Sequence, residues 1–212
     1  MELVDFILHI DEHLNTLILE YHYWVYAILF LIIFVETGLV VMPFLPGDSL
    51  LFAVGMFAAQ GSLDLVTSII LMLVAAILGD ACNYFIGRFA GDRMVKLRLF
   101  GKQVVKPQYI QKTHDFYEKH GPQTIIIARF VPIVRTFAPF VAGVGHMLYR
   151  TFAIYNVVGG IIWVVSLTLA GYFLGNIPVV KDNFEKVVIG IILISVLPII
   201  VGFFKSRKAP PA

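Results

Sequence analysis

Two short stretches decide the fold of this chain: ETGLVVMPFLPGDS, residues 36–49, and RFVPIVRTFAP, residues 129–139. Each stretch carries two prolines inside an apolar segment, the first running from Tyr23 to Ala59 and the second from Thr124 to Val144. Proline interrupts a helix because it has no backbone N–H and clashes with the preceding turn. Paired, Pro/Gly-interrupted apolar segments in the two halves of a chain are typical of transport sites within a membrane.

The composition indicates an integral membrane protein. The 212 residues are 59% hydrophobic and only 14% charged, whereas soluble domains average about 25% charged residues. We expect one membrane domain, residues 1–212, without a separate soluble module. The single cysteine, Cys82, excludes a disulfide within the chain.

The distribution of charge predicts the orientation in the membrane. No Lys or Arg precedes Arg88, although nine acidic residues do; eight basic residues then fall between Arg88 and Lys119, and three more lie in the tail, residues 205–212. Basic loops stay in the cytoplasm, so we expect the 88–120 loop and both termini to be cytoplasmic. We interpret this basic loop as an orientation signal, and we expect no nucleic-acid partner.

The apolar segments predict about four transmembrane helices, because a helix needs about 20 apolar residues to cross a bilayer. The first span starts at Tyr23 and reaches Glu36 near its far end. The other expected spans are Leu65–Gly87, Thr151–Gly175 and Lys186–Phe204. Short amphipathic segments are expected at residues 1–20, Val95–Val105 and Tyr109–Tyr117.

The proline-broken segments, residues 38–60 and 124–145, are too interrupted to be simple spans. We predict that each forms a re-entrant helical hairpin, and that the two hairpins enter from opposite sides of the membrane. The expected fold is therefore an all-α membrane protein built as an inverted repeat. The residues that shape the two breaks are Pro43, Pro46, Gly47, Pro132 and Pro139.

Arg129 and Arg135 are the sharpest candidates for function. A guanidinium at bilayer depth costs about 2.5–3.5 kcal/mol unless an anion or water compensates it, and its planar fork suits a phosphate group. We predict that the two arginines bind an anionic head group. A purely structural alternative pairs them with Glu36 and Asp48, which would fasten the hairpins together.

Glu36 and Asp48 are predicted to be proton-linked acids. Asp48 also follows a Pro-Gly turn, so it could equally cap the returning helix; the two roles can coexist. Asp80 is a secondary candidate, interpreted mainly as part of a polar cluster with Asn83 and Tyr84.

No pattern indicates an enzyme, a cofactor or a metal site. The sequence has no Gly-rich phosphate loop and no nucleophile motif. His114 and Glu118 are one helical turn apart, but two ligands make a poor metal site.

Three groups of residues resemble the DedA family of bacterial inner-membrane proteins, within the VTT (SNARE-associated) superfamily. They are F-x-E-T-G-L-x3-P-F-L-P-G-D-S-L-L (residues 34–51), G-D-x3-Y-x2-G-R (79–88), and E-K-H-G (118–121) with A-R-F-x-P-x2-R-T-x2-P-x3-G (128–143). The resemblance covers nearly the whole chain. The acids and arginines that this family uses fall on Glu36, Asp48, Arg129 and Arg135.

The resemblance implies lipid handling in the bacterial inner membrane. The expected function is a flippase that moves a phosphorylated lipid such as undecaprenyl phosphate between leaflets, coupled to protons. One alternative is a proton-coupled antiporter of small ions or osmolytes, and another is a non-transporting scaffold for envelope integrity. A homo-oligomer could complete the wall of the site.

Overall fold

The computed structural model describes residues 22–39, 47–96, 98–99, 102–103, 107–181 and 187. These residues form helices and one antiparallel pair of short strands. The helices are α1 (His22–Gly38), α2 (Gly47–Ala59), α3 (Leu65–Lys96), α4 (Pro107–His120), α5 (Thr124–Ala128), α6 (Pro132–Val144), α7 (Tyr149–Gly175) and α8 (Pro178–Lys181). Strands β1 (Arg98–Leu99) and β2 (Lys102–Gln103) pair antiparallel, and a 3-10 turn, Gly121–Gln123, precedes α5.

Among the described residues, two helices are long and apolar enough to cross a membrane, over Leu65–Ala90 and Tyr149–Gly175. Only 33% of each apolar window is buried inside the protein. The outer face of α7 consists of aliphatic side chains: Ile154, Val157, Val158, Ile161 and Ile162. Exposed aliphatic surface of this extent needs lipid to cover it, so these helices agree with two of the predicted spans.

Helix α3 is longer than the sequence predicted. It continues past Gly87 to Lys96, so the amphipathic segment expected at Val95–Val105 is wrong. Residues 88–96 include no proline, and Gly91 alone costs about 1 kcal/mol, which is not enough to end a helix. The chain turns only afterwards, through the β1–β2 hairpin.

Several predicted elements lie outside the described residues. They are the N-terminal segment 1–20, the first proline-rich break at 40–46 with Pro43 and Pro46, the span after Lys186 and the basic tail. Helix α1 covers 17 residues, a length of about 25 Å at 1.5 Å per residue. Helix α2 is the return helix expected after the first break, and it starts at Gly47.

The second proline-containing segment is interrupted once, between α5 and α6. Arg129 ends α5, Val131 is extended with φ −119° and ψ 101°, and Pro132 opens α6. Proline is favourable there because the first helical residue needs no N–H partner. The sequence thus predicted the break at Pro132 correctly.

Pro139 does not break the helix, contrary to the prediction, and lies inside α6. An isolated helix would lose about 3 kcal/mol at such a position. In this protein, neighbouring helices donate hydrogen bonds to carbonyls of the same turn: Asn83 Nδ2 to Thr136 O at 2.9 Å, and Tyr117 Oη to Ala138 O at 2.9 Å. These bonds tie the turn that contains Pro139 to α3 and α4.

The chain divides into two compact units. The first comprises Met1–Ala27, Pro46–Ser68 and Leu167–Ala212. In its described part, α2 packs closely on α7. The helices are so close that a Cβ at Gly171 would overlap the carbonyl of Phe52, and a Cβ at Gly55 would overlap that of Thr168. Glycine is required at both crossings.

The second unit comprises Ile28–Leu45 and Ile69–Ser166. Here α6 packs on α3. The helices are so close that a Cβ at Gly87 would overlap the carbonyl of Phe140, and a Cβ at Gly143 would overlap that of Tyr84. Each unit therefore contains the same pair of contacts, with a Phe-x2-Gly helix crossing a long helix at a glycine. This recurrence agrees with an internal repeat.

Candidate functional site

Four charged side chains are buried in the second unit as two ion pairs. Arg129 Nη2 donates to Asp80 Oδ2 at 2.5 Å, and Arg135 pairs with Glu36. All four side chains are between 1% and 8% exposed. Buried charges persist only when they are paired and hydrogen-bonded, so this cluster is a specific feature of the fold.

The two acids are brought together by a close helix crossing. Glu36 lies in the last turn of α1 and Asp80 lies in α3. The helices approach at Gly79, where a Cβ would overlap Thr37 Oγ1 and lie 2.8 Å from the carbonyl oxygen of Phe34. Glycine at position 79 thus permits the close crossing of the two helices that carry Glu36 and Asp80.

Asn83 joins the three helices that carry the cluster. Its Nδ2 donates to Thr37 O in α1 at 3.1 Å and to Thr136 O in α6 at 2.9 Å. Both acceptors are adjacent in sequence to a charged residue of the site, Glu36 and Arg135. The amide therefore fixes the distance between the partners of that ion pair.

Arg129 is held from two sides through a single nitrogen. Besides Asp80, its Nη2 donates to Asn156 Oδ1 at 2.6 Å and to Asn156 O at 3.3 Å. Its Nε and Nη1 are also buried, and neither has a hydrogen-bond acceptor among the described residues. Two buried donors of a charged group are therefore available to a bound anion or to water.

Trp163 lies beside both arginines. The guanidinium carbon of Arg135 is 4.9 Å from the centre of the indole ring, and that of Arg129 is 5.6 Å away. Both distances fall within the range of a cation–π interaction. One buried aromatic ring thus brings the two cations into the same site.

The cluster is electrically balanced when all four groups are ionised, with two cations and two anions. Protonation of either acid would leave one uncompensated positive charge.

Nearby, burial and the Asp80 carboxylate both raise the pKa of Tyr117 above its usual value. Tyr117 therefore remains a protonated donor to α6.

An exposed group on α4 offers the only set of three metal-type ligands found within the described residues: His114, Asp115 and Glu118. His114 Nδ1 is 3.6 Å from Glu118 Oε1. Exposed groups of this kind are common without an ion, so we assign no metal to it.

Known proteins with similar sequences identify the family of this chain. The VTT domain family matches residues 45–173. Protein DedA of Escherichia coli K12 is 56% identical over 209 residues, covering 98% of this chain and 94% of the relative. The chain belongs to the DedA family. An uncharacterized membrane protein of Mycobacterium leprae is 45% identical, covering 84% and 79% of the two chains, and the inner membrane protein YqjA of Escherichia coli K12 is 35% identical, covering 85% and 81%.

No solved structure gives a significant match to this DedA-family protein. The family membership confirms the resemblance found in the sequence and establishes a membrane protein.

The structure places the predicted site residues of this DedA-family chain in two environments. Arg129, Arg135 and Glu36 lie together in the buried cluster, and Asp80 is its fourth charged residue. Asp48 is exposed in the first turn of α2. The structural alternative, which paired the two arginines with Glu36 and Asp48, is correct for Arg135 and Glu36, whereas the partner of Arg129 is the secondary candidate Asp80.

Sequence reasoning left Asn156 and Trp163 without a specific role, although both contact the arginines. A usable signal was present, because Asn156 is a buried polar residue in the apolar helix α7. The sequence N-x2-G-G-x2-W places Asn156, Gly159, Gly160 and Trp163 on one helical face. That face points at Arg129.

Proposed function

We propose that this protein is a flippase that moves a phosphorylated lipid such as undecaprenyl phosphate between membrane leaflets. Arg129 and Arg135 would bind the phosphate head group while the lipid tail stays in the bilayer. One observation supports this most strongly: Arg129 is 98% buried yet keeps two donors, Nε and Nη1, without an acceptor among the described residues. A phosphate supplies several strong acceptor oxygens for such donors.

The surrounding residues favour a ligand that is an anion. A buried guanidinium is costly unless it is compensated, and each arginine here has one carboxylate partner. A second cation beside Trp163 can share the charge of a phosphate. The site therefore has the composition expected for an oxyanion, with carboxylates that can be displaced.

The charge balance of the cluster supports the proposed coupling to protons. When Glu36 or Asp80 takes up a proton, one arginine loses its counter-charge and becomes available to the phosphate. Release of the phosphate lets the acid ionise again and restore the ion pair. Asp48, exposed on α2, remains the acid that we propose for exchange of protons with water.

The proposed topology places the protein in the bacterial inner membrane with several passes. The basic 88–120 loop and both termini would be cytoplasmic, according to the positive-inside rule. The relative YqjA is named as an inner membrane protein, which supports the same location here. No cofactor is proposed, and a homo-oligomer could complete the site.

Leaflet translocation of fluorescent undecaprenyl phosphate in proteoliposomes tests this function. We expect wild-type protein to accelerate transfer, and Arg129→Lys and Arg135→Lys to reduce it about tenfold or more, because lysine keeps the charge but loses the planar fork. Arg150→Lys, at an exposed arginine of α7, is the matched control and should transfer at the wild-type rate. Wild-type protein without transfer activity, or normal transfer by both site variants, would contradict the proposal.

A second candidate is a proton-coupled antiporter, in which the arginines act only as counter-charges to the acids. It is favoured by one observation, that each arginine is already paired with a carboxylate. A pH-sensitive dye inside vesicles distinguishes the two functions. An antiporter should move protons when a cation is added without any phosphorylated lipid.

A further inference from the structure

We propose that Asn156 determines the charge selectivity of the site. It holds Arg129 through a neutral oxygen at a position where a carboxylate would make the cluster negative. This inference rests on the proposed function in one respect, that the ligand is an anion carrying a phosphate group. The residue contributes no charge itself, and we argue that this neutrality is its role.

The geometry around Arg129 Nη2 is the starting point. Asp80 Oδ2 lies 2.5 Å away and Asn156 Oδ1 lies 2.6 Å away, so one nitrogen has two oxygen partners at nearly equal distance. One partner is a carboxylate from α3 and the other an amide from α7. The two side chains thus occupy equivalent positions and differ in charge.

The amide is fixed in this orientation by its other end. Asn156 Nδ2 donates to Ile77 O in α3 at 3.1 Å, and Asn156 itself is 1% exposed. This bond directs the amide oxygen toward Arg129. Asn156 therefore remains a partner of Arg129 even when Asp80 is protonated, which keeps the guanidinium in place for a ligand.

Helix α7 is shaped to bring this amide close. A Cβ at Gly159 would lie 3.0 Å from Arg129 Nε and 3.2 Å from its Cδ, and a Cβ at Gly160 would lie 3.6 Å from Nη2. The backbone of α7 therefore packs directly against the guanidinium, and Trp163 continues the same face one turn later. No charged residue occupies this face of α7 between Asn156 and Trp163.

The consequence for selectivity is a matter of charge. With asparagine at position 156, the cluster holds two cations and two acids, and one protonation gives it a net positive charge. With aspartate there, a second carboxylate would compete for Nη2. The cluster would then carry one net negative charge before the same protonation and no net charge after it. Anion binding should then be weak.

Binding can be followed with the protein's own fluorescence. The chain has two tryptophans, and Trp24 is 68% exposed on α1. In a Trp24→Phe parent, the indole beside both arginines is the sole reporter. Titrations in detergent would use inorganic phosphate and farnesyl phosphate as probes, with uncharged farnesol as the control.

We expect saturable fluorescence changes in the parent and binding weaker by about tenfold or more in Asn156→Asp, from one added charge near the ligand. The double variant Asp80→Asn/Asn156→Asp moves the carboxylate from α3 to α7 and restores the total charge. It should bind within about threefold of the parent, since the two oxygens share one nitrogen. This variant also gives an answer if Asn156→Asp does not fold.

Two results would overturn the inference: binding by Asn156→Asp equal to the parent, or a folded double variant that fails to bind. The second result would mean that the bond to Ile77 is what matters. Response to farnesyl phosphate alone identifies a lipid ligand, and response to both probes identifies a general oxyanion site. If wild-type protein transports no lipid but these binding results hold, the flippase proposal fails and the role of Asn156 stands.

Discussion

Replacing Asp80 with asparagine should make the protein less stable alone and better at binding an anion. The change replaces the carboxylate 2.5 Å from Arg129 with a neutral amide, so that neither side chain bonded to Nη2, at position 80 or 156, carries a charge. Removing one partner of a buried ion pair costs about 3–5 kcal/mol. At about 2–4 °C per kcal/mol for a chain of this size, the melting temperature should fall by about 6 °C or more.

An anionic ligand should reverse that loss, because it supplies the missing negative charge. Thermal unfolding of purified Asp80→Asn, with and without farnesyl phosphate, measures both effects. The ligand should raise the melting temperature of the variant more than that of wild type. Asp115→Asn, at an exposed acid on α4, is the control and should match wild type in both conditions.

Two outcomes would refute this reasoning. An unchanged melting temperature would mean that the ion pair contributes no stability. A loss of stability that the phosphorylated ligand does not relieve more than in wild type would mean that Arg129 does not face an anion site.

Three further predictions concern the frame around the site. Gly87→Ala should destabilise the protein by about 1–3 kcal/mol in thermal unfolding, because the new Cβ would overlap the backbone of Phe140. Tyr84→Phe should cost about 1–3 kcal/mol in the same assay, since it removes the hydroxyl that donates a hydrogen bond to the partly buried carbonyl of Met147, between α6 and α7. Asp64 caps α3 by accepting from the N–H of Thr67 at 2.7 Å. Hydrogen bonds from the side chain of Thr67 and, second, from this N–H lower the pKa of the Asp64 carboxyl below its usual value of 3.8. The small stabilisation from this ionised cap should be present above that value and disappear as the pH falls through the lowered pKa. The measurement is the difference in melting temperature between wild type and Asp64→Asn over this pH range. If that difference stays constant, the carboxylate is not the capping group.

The sequence was sufficient to predict the features that depend on local pattern. Proline at position 132 marked the break before α6, and buried charge in an apolar segment marked Arg129, Arg135 and Glu36. Each of these signals is contained in a few adjacent residues. The membrane class followed from composition in the same way.

The partners of those charges could not be predicted, because they depend on how distant helices cross. Asp80 is 49 positions from Arg129, and only the close approach at Gly79 places the two acids together. Pro139 was misjudged for a related reason. Asn83 and Tyr117 donate hydrogen bonds to carbonyls of the same helical turn, and no local sequence pattern predicts these bonds.

The equal number of positive and negative groups in the cluster has an electrical consequence. If one acid takes a proton as a singly charged anion binds, the loaded site carries the same net charge as the empty one. Movement of that loaded site across the membrane would then transfer no net charge and generate no current. A membrane voltage would therefore give such a carrier no driving force, whereas a pH difference would. When a potassium–valinomycin clamp sets the voltage to zero, the rate of transport in vesicles should still follow the pH gradient.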